Sequence, residues 1–382
     1  MGRLAGPVCR KTSGFEGPFG NERLPTRVNF TRRRTIEQPT LTSSEIDDDA
    51  NNSRKQHLHQ LDHDFEFVQV SAGDSHVAAL DGKGRVYTWG AFKSKNGLLG
   101  MSAANLDRKK TWLPEKVEGF PRPVIKIASG ADHILALTRG GQVFSWGSGD
   151  QGQLARLINN PRHGIRLQLI PAPVLASKRD FQGVVDVFAG AYSSFVLTSR
   201  DQVYAWGLNN FGQLGIPPNI NETGIQFITR PTLIPGLSGK NIVEIAPAIH
   251  HTLARDKEGK VFSFGRGTYG RLGRSDIDVR SDTKLHTPTL ITALSHINVT
   301  KIAVGEAVSG ALGSGPGEVY MWGIGTTSQL GKGGGGLFAD DEELPRKVDL
   351  PEDSLLRHSS MIPKHLSIGG SHVVVLAAAE KE

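Results

Sequence analysis

The chain has 382 residues, among them 46 glycines, 20 prolines and one cysteine, and Lys plus Arg outnumber Asp plus Glu by 44 to 38, a formal net charge of +6. The lone Cys9 excludes an internal disulfide framework or a zinc ribbon, and with no apolar leader after Met1 a secretory route is not expected, leaving a reducing compartment as the default. The basic balance favours polyanionic partners without naming one, and the longest apolar run, Val373–Ala379, is too short to span a membrane.

Residues 1–64 carry ten basic and nine acidic residues, many Ser, Thr, Asn and Asp, and little apolar periodicity, so a disordered or atypical N-terminal region is expected there. Arg32-Arg33-Arg34 reads as a nuclear import signal, as a DNA-phosphate contact, or as a solvated run near Asp47-Asp48-Asp49.

From residue 65 to 380 the sequence repeats. An aromatic residue followed by Gly recurs as Trp89-Gly90, Trp146-Gly147, Trp206-Gly207, Phe264-Gly265 and Trp322-Gly323, the glycines standing 57, 60, 58 and 58 residues apart. Ahead of each pair lies a Gly-x-x-His-like loop, clearest at Gly73–His76 and Gly130–His133, then a short apolar run, a polar turn and an alternating run. That order spells two antiparallel strands joined by a hairpin. Behind the pair a Gly-rich bend follows, as in Gly152-Gln153-Leu154, Gly212-Gln213-Leu214-Gly215 and Gly270-Arg271-Leu272-Gly273. Proline-flanked strands are expected next, at Pro114–Val117, Pro171–Leu175, Pro231–Ile234, Pro288–Ile291 and Pro345–Val348. Four short strands per unit, repeated, predict an all-β propeller, with the aromatic of each unit filling the wedge between neighbours. Five full units run from Val68 to about Leu366, and two strands of a partial one follow at Ser367–Leu376.

The frame Gly-x-x-His, Gly-x-Val-Tyr-x-Trp-Gly, Gly-Gln-Leu-Gly resembles the regulator of chromosome condensation repeat. Stretches outside that frame are similar to the Ran guanine nucleotide exchange factors of the family: Val68–His76, Phe92–Gly97, Gly190-Ala-Tyr192, His250-His251-Thr252, Tyr269–Gly273 and Gly369–His372. The resemblance runs from about Val68 to Leu376 and implies a seven-bladed propeller, more units than this sequence shows. It also implies nuclear, chromatin-associated exchange of guanine nucleotide on the small GTPase Ran, with cytoplasmic residence if the import signal fails. Histones and nucleosomal DNA are implied partners, as is importin through the N-terminal basic residues, and no cofactor or metal is called for. A propeller adaptor that binds proteins or chromatin without exchange activity stays open, since the repeat alone specifies fold and not activity. An enzyme is not expected: the chain has no Walker-type Gly-Lys-Ser/Thr, His-Glu-x-x-His or Gly-x-Ser-x-Gly motif.

Site residues also follow from the resemblance. A projecting hairpin, the β-wedge, corresponds to Phe92-Lys93-Ser94-Lys95-Asn96-Gly97-Leu98-Leu99, and Asn-Gly is a hairpin-turn signal, although an ordinary loop would read the same way. Asp74, Asp132, His250 and His372 match positions implicated in GTPase binding or exchange; Asp is suited to a partner's Lys or Arg and His to proton exchange near neutral pH. His76 and His133, by contrast, are expected to satisfy backbone groups at a strand start. The insertion Asn159–Arg166 corresponds to a loop that contacts the acidic histone surface and DNA phosphate, with Arg162 and Arg166 as contacts, or it is a solvated loop. Gly212 and Lys93 depart from a family His and Arg, and an acidic position in a first unit has no counterpart here.

Overall fold

A computed structural model describes residues 66–156, 164–174, 183–218, 226–331, 341–350, 354 and 361–379. Cys9, Arg32–Arg34, Arg162 and the expected N-terminal region 1–64 lie outside them.

The first unit comprises β1 (Phe67–Ala72), β2 (His76–Asp81), β3 (Val86–Gly90) and β6 (Thr111–Val117), hydrogen-bonded in that order, with a separate hairpin of β4 (Phe92–Ser94) and β5 (Gly97–Gly100) inserted before its last strand. The second holds β7 (Val124–Ser129), β8 (His133–Thr138), β9 (Val143–Gly147) and β10 (Ala172–Pro173); the third, β11 (Val184–Ala189), β12 (Ser193–Thr198), β13 (Val203–Leu208) and β14 (Phe227–Leu233). The fourth holds β15 (Ile242–Pro247), β16 (His251–Asp256), β17 (Val261–Arg266) and β18 (Lys284–Leu290), and the fifth β19 (Val299–Val304), β20 (Val308–Gly313), β21 (Val319–Gly323) and β22 (Glu342–Lys347). A two-stranded sheet, β23 (Met361–Ile368) and β24 (Val373–Ala379), comes last. All pairings are antiparallel, and the first strand of each sheet packs against the first strand of the next. Meandering four-stranded sheets stacked radially are the architecture of a β-propeller.

The second strands explain why the stack holds. His133-Ile-Leu-Ala-Leu-Thr138 is buried at every position, as a strand covered on both faces by neighbouring sheets must be. The resulting cores lie between sheets. Trp146 packs with Ala78, Leu80 and Val86 of the first unit, Trp206 with Leu135 and Leu137 of the second, Phe264 with Phe195 and Leu197 of the third, and Trp322 with Leu253 and Val261 of the fourth. Each aromatic therefore fills the wedge against the preceding unit, as the sequence pattern implied. Trp89, in the first described unit, is the one left half-buried.

Two features differ from the sequence-based expectations. The outer strands begin before their prolines rather than at them: β14 runs through Pro231, β18 through Pro288 and β22 through Pro345. An outermost strand tolerates a proline because one of its edges needs no N–H donor. In the second unit the outer strand shrinks to Ala172–Pro173, and part of the expected loop before it forms a six-residue helix, α1 (Gly164–Leu169), whose Leu169 is buried.

The histidines also do something other than expected. The ring of His76 lies over Gly73, so closely that a Cβ on that glycine would sit 2.2 Å from the ring; the same holds at Gly130 under His133. Glycine is thus required by its own loop's histidine. His133 does not bond the backbone: its Nε2 meets Ser194 Oγ of the next unit at 2.9 Å, and that hydroxyl donates to Gln153 O, which also accepts Trp206 Nε1. His251, Ser309, Arg271 O and Trp322 Nε1 repeat the arrangement one unit pair further on. At His76 the hydroxyl's place is taken by Ile134, and neither ring nitrogen has a hydrogen-bond partner. Burial lowers the pKa of His76 to about 4 and of His133, beside His76, to about 3, so all of these rings are neutral structural elements at physiological pH.

Candidate functional site

In a meandering unit the loop between strands one and two and the connection after strand three leave from the same end of the sheet. One face of the propeller therefore gathers the Gly-x-x-His loops, the Gly-rich bends and the β4–β5 hairpin. Within the loops, Asp132, Tyr192 and His250 occupy the same place, immediately before the strand-opening residues His133, Ser193 and His251. Asp74 stands one residue earlier in its loop; it is exposed, and its N–H bonds to Ala131 O at 3.0 Å, stitching the first unit to the second.

The hairpin is anchored at its root, and its tip is exposed. Phe92 is fully buried against the His76 ring, 4.7 Å between centroids, and Leu99 and Met101 join the same core. Lys93, Lys95, Asn96, Gly97 and Leu98 are exposed. Gly97 makes the turn at φ 104°, where L residues are strained, and Ser94 Oγ bridges it by donating to Gly97 O and accepting from Asn96 N. Phe92, expected among the partner-contacting residues, is an anchor in this structure and presents no surface.

Asp132 is likewise engaged. It is 7% exposed, and its Oδ1 accepts the Lys93 N–H at 2.7 Å. Burial raises its pKa, the Lys93 bond opposes this, and Asp74 and Asp150 reinforce it. Asp150 is the acid that the sequence pattern did not single out: its Oδ2 accepts Lys95 N at 2.7 Å. Tyr192 was also missed; burial and the nearby Asp132 and Asp74 raise the pKa of its phenol, which places it in the same acidic quarter. Aligning the units one on another exposes both residues, since Tyr192 shares the loop position of Asp132 and His250, while Asp150 stands where later units have Asn210, Thr268 and Thr326.

The fourth unit supplies the opposite charge. His250 lies edge-on to Phe211, 5.0 Å between centroids, and Arg266 and Lys284 place their cations 4.9 and 5.3 Å from the Phe211 ring. Burial, then Arg271 and Arg266, lower the pKa of His250, so it stands neutral among cations. Arg271 takes the bend position where Gln153, Gln213 and Gln329 each accept an N–H from two residues earlier. A guanidinium cannot accept; it is buried and donates to Thr268 O, Thr268 Oγ1 and Glu306 O instead. Tyr269, its N–H turned to Val279 O, is left 47% exposed with φ 63°. The face thus runs from acidic groups and a lysine-tipped hairpin on the first units to an aromatic, cationic cluster on the fourth.

His372 is exposed in the loop between β23 and β24, apart from these clusters in the order of units. Arg166, on α1, is exposed and donates from Nη1 to Ala103 O, next to the hairpin's return strand. Among the described residues no group of three or more His, Cys, Asp or Glu side chains is placed to hold a metal ion.

Known proteins share this architecture and much of this sequence. The RCC1-like domain family matches residues 30–375. The regulator of chromosome condensation of Mus musculus is 38% identical over 317 residues, which are 81% of this chain and 70% of that protein. The guanine nucleotide exchange factor SRM1 of Saccharomyces cerevisiae is 31% identical over 290 residues, covering 74% of this chain and 57% of that one. The crystal structure of Prp20p from Saccharomyces cerevisiae, a protein described with its binding to Gsp1p and histones, superposes with a TM-score of 0.71 at 28% identity, covering 83% of this chain and 69% of Prp20p.

Proposed function

Since the chain belongs to the RCC1-like domain family, we propose that it is a guanine nucleotide exchange factor for the small GTPase Ran, acting on chromatin and releasing GDP by stabilising the nucleotide-free GTPase. The observation that carries this is the β4–β5 hairpin: an exposed, doubly cationic tip on a root locked by a buried phenylalanine and a buried carboxylate. Exchange makes and breaks no covalent bond. It requires only that the factor bind the empty GTPase more tightly than the loaded one. A soft projection would adapt to both states and discriminate neither; a rigid one presses on the phosphate-binding region and favours the state from which phosphate has gone.

The rest of the face has matching roles. Asp74 and Tyr192 offer acceptors to a basic partner surface, and the Phe211, His250, Arg266 and Lys284 cluster offers an aromatic shelf ringed by cations to an acidic one. Arg166 and Arg162 would meet the acidic histone surface or DNA phosphate, and Arg32–Arg34 importin. Release of labelled GDP from folded Ran by the purified protein tests the proposal. Acceleration over the spontaneous rate, reduced when His250→Ala is introduced without loss of folding, supports exchange; the spontaneous rate with tight Ran binding makes the protein a propeller adaptor instead.

A further inference from the structure

The hairpin belongs to the first unit, but the groups that hold its outer edge come from the second. Lys93 is the middle residue of β4 and Lys95 opens the turn to β5, and the main-chain N–H groups of both are directed to the second unit. Those two N–H groups end on two carboxylates, Lys93 on Asp132 Oδ1 and Lys95 on Asp150 Oδ2, each at 2.7 Å. The acids arrive from different places: Asp132 from the loop between β7 and β8, Asp150 from the bend after β9. Both platforms are themselves fixed. Asp132 sits in the loop closed by Gly130 N to His133 O, and the Asp150 bend is closed by Gly152 N to Gly149 O and Gln151 N to Gln153 Oε1.

We propose that Asp150, together with Asp132, is a positioning residue for exchange: a two-point carboxylate clamp that sets the angle of the hairpin by holding its backbone. The proposal rests on the exchange reading above and adds residues that touch no nucleotide. Two observations carry it beyond an incidental bond. Asp150 stands where later units have Asn210, Thr268 and Thr326, and among the described residues its unit is the one that faces a projecting hairpin. And the clamp takes main-chain N–H groups: among the described residues neither lysine ammonium is held in an ion pair, so both cations remain available to a partner while the hairpin backbone that carries them is fixed.

The full-length protein carrying Asp150→Ala is compared with wild type by amide hydrogen exchange over residues 92–99 and by steady-state GDP release from Ran. Loss of one charge-assisted bond is expected to speed hydrogen exchange at Lys95 by about tenfold while the core strands β8 and β12 keep their protection. The kcat for GDP release should fall severalfold with KM nearly constant, because binding area is retained and only the pose is lost. Asp150→Asn keeps an acceptor oxygen and should restore most of both. Unchanged protection at Lys95 in Asp150→Ala overturns the clamp. Lost protection with an unchanged kcat overturns its role in positioning. The two readouts separate the claims: if wild type itself fails to release GDP, the exchange reading fails, while the clamp is still decided by hydrogen exchange.

Discussion

A histidine ring stacked on the glycine three residues before it is the smallest unit of this molecule's architecture. It demands Gly at 73 and 130 and buries an imidazole; His133 of this kind, and His251, which has Ala248 in the glycine's place, each share a hydrogen bond with a serine of the next unit. The Gly-x-x-His spacing was visible in the sequence; the serines were not, because Ser194 lies 61 residues from His133 and only folding brings them together. The titration of these rings has a definite sign. His76, His133 and His251 are held neutral by burial, their folded pKa values below the ordinary 6.5. Between the folded and unfolded values the unfolded chain binds more protons, so stability is constant above about pH 6.5 and is lost as pH falls towards about 4. His76 and His133 are each expected to cost about 2 kcal/mol between pH 7 and about pH 5, read as a falling urea midpoint. A midpoint that rises or stays level over that interval would contradict neutral burial.

At the scale of elements, what the sequence showed best was whatever repeats. Strand count per unit and the aromatic wedges followed from register, and the wedge aromatics pack as their spacing implied, whereas the hairpin that begins at Phe92 was expected from the resemblance and its Asn-Gly turn. What it showed poorly was whatever one unit does alone: the truncated β10, the helix Gly164–Leu169 and the turning of the Arg271 side chain, each a departure from the repeat set by local packing. The role of Phe92 was misjudged for a related reason, since an aromatic at a hairpin's start is equally compatible with a contact surface and a root. The hairpin's turn isolates the tip experimentally. At Gly97 no atom lies within 4 Å of where a Cβ would be, so Gly97→Ala costs only backbone strain at φ 104°, about 1–2 kcal/mol and confined to the tip. Thermal unfolding of the propeller is expected to shift little, while GDP release slows markedly; a full exchange rate in a variant with a reshaped tip would remove the hairpin from the mechanism.

Across the whole molecule, units are joined by the same few devices repeated: wedge aromatics, Asp74 N to Ala131 O and Ala131 N to Ala191 O, and side-chain bridges such as Gln69 Nε2 to Ile127 O. They carry the face on which acidic and cationic quarters stand apart. Much of that face was foreseeable residue by residue, but not its arrangement: that Asp132 is spent on the hairpin rather than open to a partner depends on a bond across 39 residues. The proposed chromatin contact belongs to this scale too. Arg166 lies beside the return of the hairpin, and if it contacts phosphate, Arg166→Ala should weaken nucleosome binding and reduce the salt slope by about one. Binding that ignores salt in both proteins would exclude that contact.

The central claim is that a rigid, lysine-tipped hairpin discharges GDP from Ran. Its most direct measurement is the rate of labelled GDP release from Ran with wild-type protein and with Lys93 and Lys95 both replaced by alanine, at matched thermal stability. Wild type is expected to accelerate release strongly, and the double replacement, which leaves the Phe92 anchor and the Asp132 and Asp150 bonds in place, to lower it by about tenfold or more. Equal rates for the two proteins, or no acceleration by either, would contradict the account.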